Sequence, residues 1–169
     1  LDVSRIESGN LRLHIEKVKI NDIIIDVINT LKQNINNEIS LNVNLDDDVE
    51  VYVDKMRINQ VITNILDNAI KFTKYGEISI ESRVLSNKER IEISISDTGG
   101  GIPEELFPVL FEKFVTKGLH DDNQYGIGLG LFISSAIINA HKGEITAYNN
   151  DKGGATFVIV LPFNSTRSL

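Results

Sequence analysis

The chain has 169 residues, of which 41% are hydrophobic and 24% are charged, so it can bury one full domain core. Its formal net charge of −7 argues against a nucleic-acid binder, and the absence of cysteine excludes disulfides and thiolate metal sites. No apolar run approaches the ~20 residues of a membrane span, so we expect a cytoplasmic domain and leave open whether the full-length protein is membrane-anchored.

The first twenty residues have the pattern of a helix end followed by an extended link. Residues 1–8, LDVSRIES, are predicted to be helical, and Gly9 with Asn10 is expected to stop the helix. Residues 11–20, LRLHIEKVKI, predict an extended segment. Because the pattern begins in mid-helix without a methionine, we expect the chain to be a fragment.

A helix, a strand and a second helix are predicted next. Asn21 is expected to N-cap a helix that runs to about Asn36 with its apolar residues on one face. Residues 39–45, ISLNVNL, alternate strictly, as a half-buried strand does. After a run of aspartates, Asp54 is predicted to cap the next helix.

The second half of the chain predicts two strand pairs and two helical segments. The segments GEISIESRVL and RIEISISD are joined by the loop SNKE, and the last two strands are GEITAYNN and ATFVIVLPF. Between the pairs lie the helical segment PEELFPVLFEKF, with Pro103 near its start, the loop VTKGLHDDNQY and the helix GIGLGLFISSAIINAH. This pattern predicts an α+β fold: a two-layer α/β sandwich whose mixed, mostly antiparallel sheet is covered on one face by helices.

Two asparagines in the middle of an apolar helix are the first indication of a site. Asparagine is a poor helix-interior residue because its amide competes for backbone hydrogen bonds. At about 100° per residue, Asn64, Asn68 and Lys71 fall within an arc of roughly 60° that borders the apolar stripe, with Phe72 at the seam. Satisfied polar groups at a core edge would explain either asparagine alone, but four aligned residues favour a ligand site.

Asp97 ends a strand on the same side as the core isoleucines Ile91, Ile93 and Ile95. Its carboxylate should therefore point toward the core, where it needs a hydrogen-bond donor from the protein or from a ligand. A cap on the following TGGG turn would also satisfy it. The glycines of DTGGGIP allow backbone to approach a ligand closely, or they form only a tight turn.

A second glycine cluster, GIGLGL, places Gly126, Gly128 and Gly130 just before a helix. Backbone amides at a helix N-terminus form an anion site, although one such motif alone is weak evidence. A dinucleotide-binding fingerprint is disfavoured, because a polar loop and not a parallel strand precedes the glycines. In that loop Lys117 is equally well explained as a phosphate contact or as a solvated side chain.

Taken in order, these segments resemble the catalytic, ATP-binding domain of sensor histidine kinases, in the superfamily shared with gyrase-type ATPases. NILDNAIKF resembles its asparagine box, DTGGGIP the first glycine box, LFEKF the phenylalanine box, GIGLGL the second glycine box and GGATF a final Gly/Thr segment. The resemblance implies a Bergerat-type ATP-binding fold. It also implies three regions: the end of a dimerisation helix with its linker (1–20), the catalytic domain (21–163) and a polar tail (164–169).

The resemblance implies a role for each matching residue. Asn68 would coordinate Mg²⁺ through its amide oxygen, and Asn64 would assist at the phosphates or the metal. Lys71 and Lys117 would contact phosphate and, with Asn64, form the catalytic set. Asp97 would accept a hydrogen bond from the adenine amine. The other predicted nucleotide contacts are Phe72, Gly99, Gly101, Ile102, Phe114, Gly126, Gly128, Leu129, Gly130, Leu131 and Thr156.

Two positions depart from the family pattern. Ile127 stands where the second glycine box often has a small hydroxyl residue, which removes one polar contact. Lys117 stands where many relatives use an arginine, and a single ammonium cannot make the bidentate contact of a guanidinium. Both changes bear on kinetics and neither argues against nucleotide binding.

The implied activity is transfer of the ATP γ-phosphoryl group to a histidine on a dimerisation domain, with ATP and Mg²⁺ as cofactors. The implied partners are ATP or ADP, the protein's own dimerisation domain in a homodimer, and a response regulator receiver domain. None of His14, His120 or His141 sits in the family's HE-type motif, so we predict Mg·ATP binding without self-phosphorylation.

Two alternative functions compete with the kinase. One is an ATP-hydrolysing relative, and the other is a nucleotide-binding module without catalysis. The hydrolysing relatives use a glutamate of the asparagine-box helix as general base, and the corresponding residue here is Asn64, which cannot take a proton at neutral pH. The kinase is therefore the favoured interpretation.

Overall fold

In the computed structural model, which describes residues 2–85, 89–115 and 128–165, the chain opens with the short helix α1 (Asp2–Glu7). The helix ends where Gly9 adopts a φ of +69°, and the Asn10 N–H donates to the Arg5 carbonyl at 2.8 Å. Glycine takes this left-handed conformation without the steric cost of a Cβ. The predicted stop at Gly9 and Asn10 is confirmed.

A small two-stranded sheet follows the N-terminal helix. Strand β1 (Glu16–Lys19) pairs antiparallel with a later strand, Glu50–Val53. The segment predicted as an extended link therefore contains a strand, and its partner strand was not predicted. Each strand has four residues, which is too short for a clear period-2 pattern.

The predicted N-cap at Asn21 is wrong. Helix α2 (Ile20–Leu31) begins two residues earlier than that cap implies, because the Ile20 N–H donates to the Val49 carbonyl at 3.1 Å. Asn21 lies inside the first turn, where its Nδ2 donates to the Asp46 carbonyl at 3.1 Å. A 3₁₀ helix, Lys32–Asn34, follows directly and brings the helical region close to its predicted end.

Among the described residues, the main sheet contains five strands, in the spatial order β2-β4-β5-β7-β6. Of the strand pairs described in this sheet, β2–β4 is parallel and the other three are antiparallel, so the predicted mixed, mostly antiparallel sheet is confirmed. The strand bounds, which include β3 of the small sheet, are β2 (Ile39–Leu45), β3 (Glu50–Val53), β4 (Gly76–Val84), β5 (Arg90–Asp97), β6 (Glu144–Asn149) and β7 (Ala155–Pro162).

The helices α2, α3 (Lys55–Phe72) and α4 (Gly130–Ala140) form the second layer. Asp54 caps α3, since its side chain accepts a 3.1 Å hydrogen bond from the Arg57 N–H, as predicted. The core consists of apolar side chains from both layers, among them Ile62 of α3 and Ile93 of β5, which have no exposed surface. The predicted helical segment after Pro103 is a 3₁₀ helix, Glu104–Val109. Within the described ranges, no helix combines the length and apolar character needed to cross a bilayer.

Candidate functional site

A cavity of about 470 Å³ lies between α3, the beginning of α4 and the ends of β5 and β7, within the usual size range of small-molecule sites. Apolar side chains such as Ile95, Leu106 and Phe157 form much of its wall. The predicted site residues that line it are Asn64, Asn68, Lys71, Phe72, Asp97, Gly101, Ile102, Gly128, Leu129, Gly130 and Leu131. Lys117 and Gly126 lie outside the described residues.

The polar face of α3 borders the cavity as its helical spacing predicts. The Asn64 amide is anchored to α4, because its Nδ2 donates to the Gly130 carbonyl at 3.3 Å and to Ser134 Oγ at 3.2 Å. The Lys71 ammonium forms a half-exposed ion pair of 2.8 Å with Asp67, one turn earlier. Asp67 also lines the cavity, and sequence reasoning did not place it among the site residues.

The Asp97 carboxylate is buried at the end of β5, with 7% of the residue exposed. Its Oδ1 accepts hydrogen bonds from the backbone N–H groups of Gly99 at 2.8 Å and Ala155 at 3.3 Å. Charge-assisted bonds of this kind offset much of the cost of burying a carboxylate. The turn-capping role is therefore present, and because Asp97 also lines the cavity it remains available to a ligand.

Two glycines beside Asp97 are required by the protein's own packing. A Cβ on Gly99 would lie 2.4 Å from the Phe72 carbonyl oxygen, and one on Gly154 would lie 2.0 Å from the Asp97 carbonyl oxygen. Gly99 does not line the cavity. The predicted close approach of Gly99 to a ligand base therefore has no geometric support, and the packing explains why a glycine is needed here. Its missing side chain lets the turn pack against the end of α3.

Two asparagines that sequence reasoning missed hold the turn after β5. Asn149 brackets Ile102, because its Oδ1 accepts from the Ile102 N–H at 2.7 Å and its Nδ2 donates to the Ile102 carbonyl at 2.9 Å. Asn150 Nδ2 donates to the Asp97 carbonyl at 3.0 Å. The sequence signal was the pair of asparagines directly before the turn DKGG, where such residues commonly bond backbone groups.

Phe114 and Gly128 join the two chain segments that flank residues 116–127. The Phe114 N–H donates to the Gly128 carbonyl at 2.9 Å, and a Cβ on Gly128 would lie 2.8 Å from the Phe114 carbonyl carbon. Phe114 adopts a φ of +64°, and 67% of it is exposed. It does not line the cavity, so the structure offers no geometric support for its predicted contact with the nucleotide.

Thr156 is not part of the cavity wall either. Its Oγ1 lies 2.8 Å from Ser96 Oγ and accepts a 3.2 Å hydrogen bond from Asn150. Its neighbours Ala155 and Phe157 do line the cavity, and alternate residues of a strand face opposite sides of the sheet. The predicted nucleotide contact of Thr156 therefore has no direct geometric basis.

The oxygen ligands at the cavity fit Mg²⁺ only together with a phosphate-bearing ligand. Within the part of the chain that the structure describes, no group of three or more His, Cys, Asp or Glu side chains could hold a metal ion. The cavity instead offers the amides of Asn64 and Asn68 and the carboxylate of Asp67. Mg²⁺ prefers oxygen ligands, keeps several waters and commonly shares its coordination with substrate phosphates.

The histidines of the described chain have structural surroundings. His141 is fully buried, and its ring bonds the Asp54 N–H through Nε2 at 3.0 Å and the Ile137 carbonyl through Nδ1 at 2.7 Å. Burial lowers the pKa of His141, which favours the neutral ring. The exposed His14 uses its backbone N–H to bond the Asp54 carboxylate at 2.9 Å. His120 lies outside the described residues.

Residues 53–165 match the family described as histidine kinase-, DNA gyrase B- and HSP90-like ATPases. The chain is 31% identical to Histidine kinase 5 of Arabidopsis thaliana, over 99% of this chain and 21% of that protein. It is 37% identical to the signal transduction histidine-protein kinase BarA of Escherichia coli strain K12, over 93% of this chain and 18% of that protein. The chain thus spans roughly a fifth of the length of these relatives.

Solved structures of similar proteins share the fold. The catalytic domain of histidine kinase ThkA superposes with a TM-score of 0.79 at 30% identity, covering 90% of this chain and 99% of that one. Histidine kinase AdeS of Acinetobacter baumannii superposes with a TM-score of 0.77 at 29% identity, covering 96% and 74%. ThkA in complex with the response regulator protein TrrA gives a TM-score of 0.79 at 27% identity, covering 99% and 48%.

Proposed function

Because the chain belongs to the histidine kinase-, DNA gyrase B- and HSP90-like ATPase family, we propose that it is the ATP-binding catalytic domain of a two-component sensor histidine kinase. One observation carries the proposal. A single cavity is bordered by the polar face of α3 with Asn64 and Asn68, by Asp97 at the end of β5, and by the glycine-rich start of α4. A nucleotide needs this combination of an apolar slot, a buried acceptor and a phosphate-binding end.

The apolar half of the cavity suits the adenine base. Ile102, Leu106 and Phe157 line it, and flat aromatic surface is well buried against such side chains. Asp97 lies beside them with a carboxylate that can accept from the exocyclic amine. The bonds from Gly99 and Ala155 fix that carboxylate before a ligand arrives, so little reorganisation accompanies binding.

The polar half suits the phosphates and their metal. The backbone at the start of α4, around Gly130, provides N–H groups at a helix N-terminus, where anions bind favourably. Lys71 adds an ammonium on the facing helix, and Asn68 adds an amide oxygen suited to Mg²⁺. Mg²⁺, when bound, would neutralise charge on the phosphates. The phosphate contact of Lys117, which lies outside the described residues, stays a prediction from the sequence.

The chemistry assigned to this domain is donation of the γ-phosphoryl group to an imidazole nitrogen on a dimerisation domain. Residues 1–20 would then be the end of the dimerisation helix with its linker, residues 21–163 the catalytic domain, and 164–169 a tail. A homodimer through that helix and a receiver domain of a response regulator are the proposed partners. The similarity to ThkA, which has been solved with the response regulator protein TrrA, supports this assignment.

Hydrolysis alone is less well supported than phosphoryl transfer. A hydrolysing relative requires a general base on α3, and Asn64 cannot take a proton at neutral pH. Asp67 is the nearby carboxylate, but it is paired with the Lys71 ammonium at 2.8 Å. Among the described residues that line the cavity, the proposed site therefore positions a phosphoryl donor without a free carboxylate on α3 to activate water.

Calorimetric titration with ADP and ATP, with and without magnesium, tests the binding part of the proposal. We expect binding that strengthens with magnesium, and absence of any nucleotide binding would refute the proposal. Incubation with γ-labelled ATP and an added dimerisation domain tests the transfer. We expect label on the added histidine and none on this chain alone, whereas phosphate release without transfer would favour the hydrolysing relative.

A further inference from the structure

Ser134 is a buried polar residue that lies behind the cavity wall. It has no exposed surface, it sits one turn into α4, and its Oγ lies 3.2 Å from Nδ2 of Asn64. The same Nδ2 lies 3.3 Å from the Gly130 carbonyl oxygen. Ser134 does not line the cavity itself, so any effect on a ligand must pass through Asn64.

These contacts determine which way the Asn64 amide is turned. A backbone carbonyl can only accept hydrogen bonds, so the Asn64 atom that faces Gly130 must be the NH₂ group. The Ser134 hydroxyl accepts from that same group. Within the described chain, the side-chain hydrogen bonds of Asn64 both use Nδ2, so Oδ1 is the amide atom left for a ligand on this cavity-lining residue.

An amide oxygen and an amide NH₂ recognise opposite partners. Phosphate oxygens are acceptors and carry negative charge, so they require a donor and are repelled by a carbonyl oxygen. A hard cation, or a water bound to it, is attracted by that oxygen. The amide orientation therefore discriminates between the two roles that the family resemblance leaves open for Asn64.

We propose that Ser134 is a positioning residue that holds Oδ1 of Asn64 toward the cavity and so assigns Asn64 to the magnesium ion or its bound water, not to the phosphates. The inference rests on the proposed function, because it concerns the metal of a bound Mg·nucleotide. Outer partners that orient a metal ligand commonly change metal affinity by about 10- to 100-fold when they are removed.

Titration of ADP at several magnesium concentrations tests the assignment through Ser134→Ala. We expect the gain in ADP affinity on adding magnesium to fall about tenfold, while the affinity without magnesium stays as in the wild type. Ser134→Cys keeps the shape of the side chain but replaces the hydroxyl oxygen with a larger, weaker acceptor, and it should show the same loss, so the test does not depend on a single substitution. If adding magnesium raises the ADP affinity of both variants as much as that of the wild type, the proposal is overturned.

Two comparisons separate positioning from a general effect on the fold. Ser135→Ala makes the identical substitution on the next residue of α4, which is only partly buried and does not line the cavity, and should leave the magnesium gain unchanged. In an Asn64→Ala background, Ser134→Ala should cause no further loss, because the residue through which it acts is gone. A full additional loss in that background would contradict the inference.

The positioning can also be measured without any ligand. In ¹⁵N-labelled protein, the two Nδ2 protons of Asn64 should give a resolved, slowly exchanging amide pair, because one bonds Ser134 and the other Gly130. The proton that bonds Ser134 should shift and exchange faster in Ser134→Ala, and both should be unchanged in Ser135→Ala. An Asn64 pair that is unaffected by Ser134→Ala would overturn the positioning. If the wild type binds no ADP at all, the proposed function and the metal assignment fall together, while this spectrum still decides whether Ser134 orients Asn64.

Discussion

The backbone N–H of Asp54 donates a 3.0 Å hydrogen bond to Nε2 of His141, which joins the start of α3 to the end of α4. The other ring nitrogen, Nδ1, lies 2.7 Å from the Ile137 carbonyl, which can only accept. The ring must therefore be neutral with its proton on Nδ1. Protonation of Nε2 would remove the acceptor for Asp54 within a site that has no exposed surface.

Stability should consequently fall as the pH drops below the ordinary histidine range. The pKa of His141 is lower in the folded state than in the unfolded state, because burial disfavours the charged ring. The unfolded chain then binds the extra proton first. The contribution of the neutral His141 ring to the free energy of unfolding is complete above the unfolded-state pKa of about 6.5. It is lost as the pH falls toward the folded-state pKa, with a slope of at most about 1.4 kcal/mol per pH unit.

Urea unfolding between about pH 8 and about pH 5.5 measures this slope. His141→Asn should lower the free energy of unfolding at neutral pH and flatten its pH dependence. If the free energy of unfolding has the same pH dependence in the wild type and in His141→Asn, the role assigned to the neutral His141 ring is wrong.

If Asn68 has its proposed role as an oxygen ligand of the metal, Asn68→Ala should weaken magnesium-dependent ADP binding by at least about tenfold, or about 1.4 kcal/mol. Calorimetric titration with and without magnesium gives the comparison. Asn59→Ala is the matched control, since Asn59 lies on the same helix and does not line the cavity. Identical results for the two variants would remove Asn68 from the site.

Asp97→Asn should change which purine the site prefers. The variant can keep an oxygen toward the N–H groups of Gly99 and Ala155, which turns its NH₂ toward the cavity. We expect ADP affinity to fall about 10- to 100-fold and inosine diphosphate, which has a carbonyl in place of the amine, to bind better than ADP. Competition titrations measure the ratio, and Asp26→Asn on the exposed face of α2 serves as control. Retained preference for ADP would reject this role of Asp97.

Gly154→Ala should destabilise the domain by at least about 3 kcal/mol, because its Cβ would lie 2.0 Å from the Asp97 carbonyl oxygen, a backbone atom that cannot move alone. Gly153→Ala is the informative neighbour. Its φ is +87°, but an added Cβ would meet no atom within 4 Å, so only a backbone strain of about 1 kcal/mol is expected. Chemical unfolding measures the free energy of unfolding of both variants. Equal decreases would show that the contact of the added Cβ with the Asp97 carbonyl oxygen does not determine the effect of Gly154→Ala.

Arg57→Ala should loosen α1 from the rest of the domain. Arg57 pairs with Asp2 at 2.9 Å, with only 17% and 28% of the two side chains exposed, and Gln60 also bonds Asp2 at 3.2 Å. Although partial burial opposes it, the bonds from Gln60 and Arg57 hold the pKa of Asp2 below its usual range. Loss of a partly buried charged bond should cost about 1 to 2 kcal/mol locally.

Hydrogen exchange of the backbone N–H groups of residues 8–10 reports this loosening, because those groups bond the carbonyls of α1. Exchange there should accelerate in Arg57→Ala. Lys17→Ala breaks an ion pair with Glu50 in which 58% and 48% of the side chains are exposed, and it should change little. Equal protection in Arg57→Ala and the wild type would show that α1 is held by other contacts, such as the pair between Glu7 and Lys113.

Features set by local periodicity were predicted correctly, and the similarity to histidine kinases is confirmed by the family match and the relatives. Strand parity predicts the burial of Asp97, and helical spacing predicts that Asn64, Asn68 and Lys71 border one site. Both predictions need only the geometry of a single element.

Features set by contacts between distant segments were missed. The helix starts at Ile20 and not after Asn21, because a carbonyl from residue 49 satisfies its first N–H. Asn149 binds Ile102 across 47 positions, and Ser134 binds Asn64 across 70, so neither partnership leaves a local pattern. The apolar wall of the cavity could not be predicted from the sequence either, because residues of several elements come together there only after folding.

The parallel pairing of β2 with β4 has a consequence for the order in which the domain is assembled during synthesis. Between these neighbouring strands the chain runs through β3 and the whole of α3, so the edge of the sheet can close only after that helix has been made and packed. Strands joined by such long connections form late. The cavity itself is completed later still, because Ala155 and Phe157 of the last strand, β7, line it, so a chain that ends before β7 would lack that part of the wall.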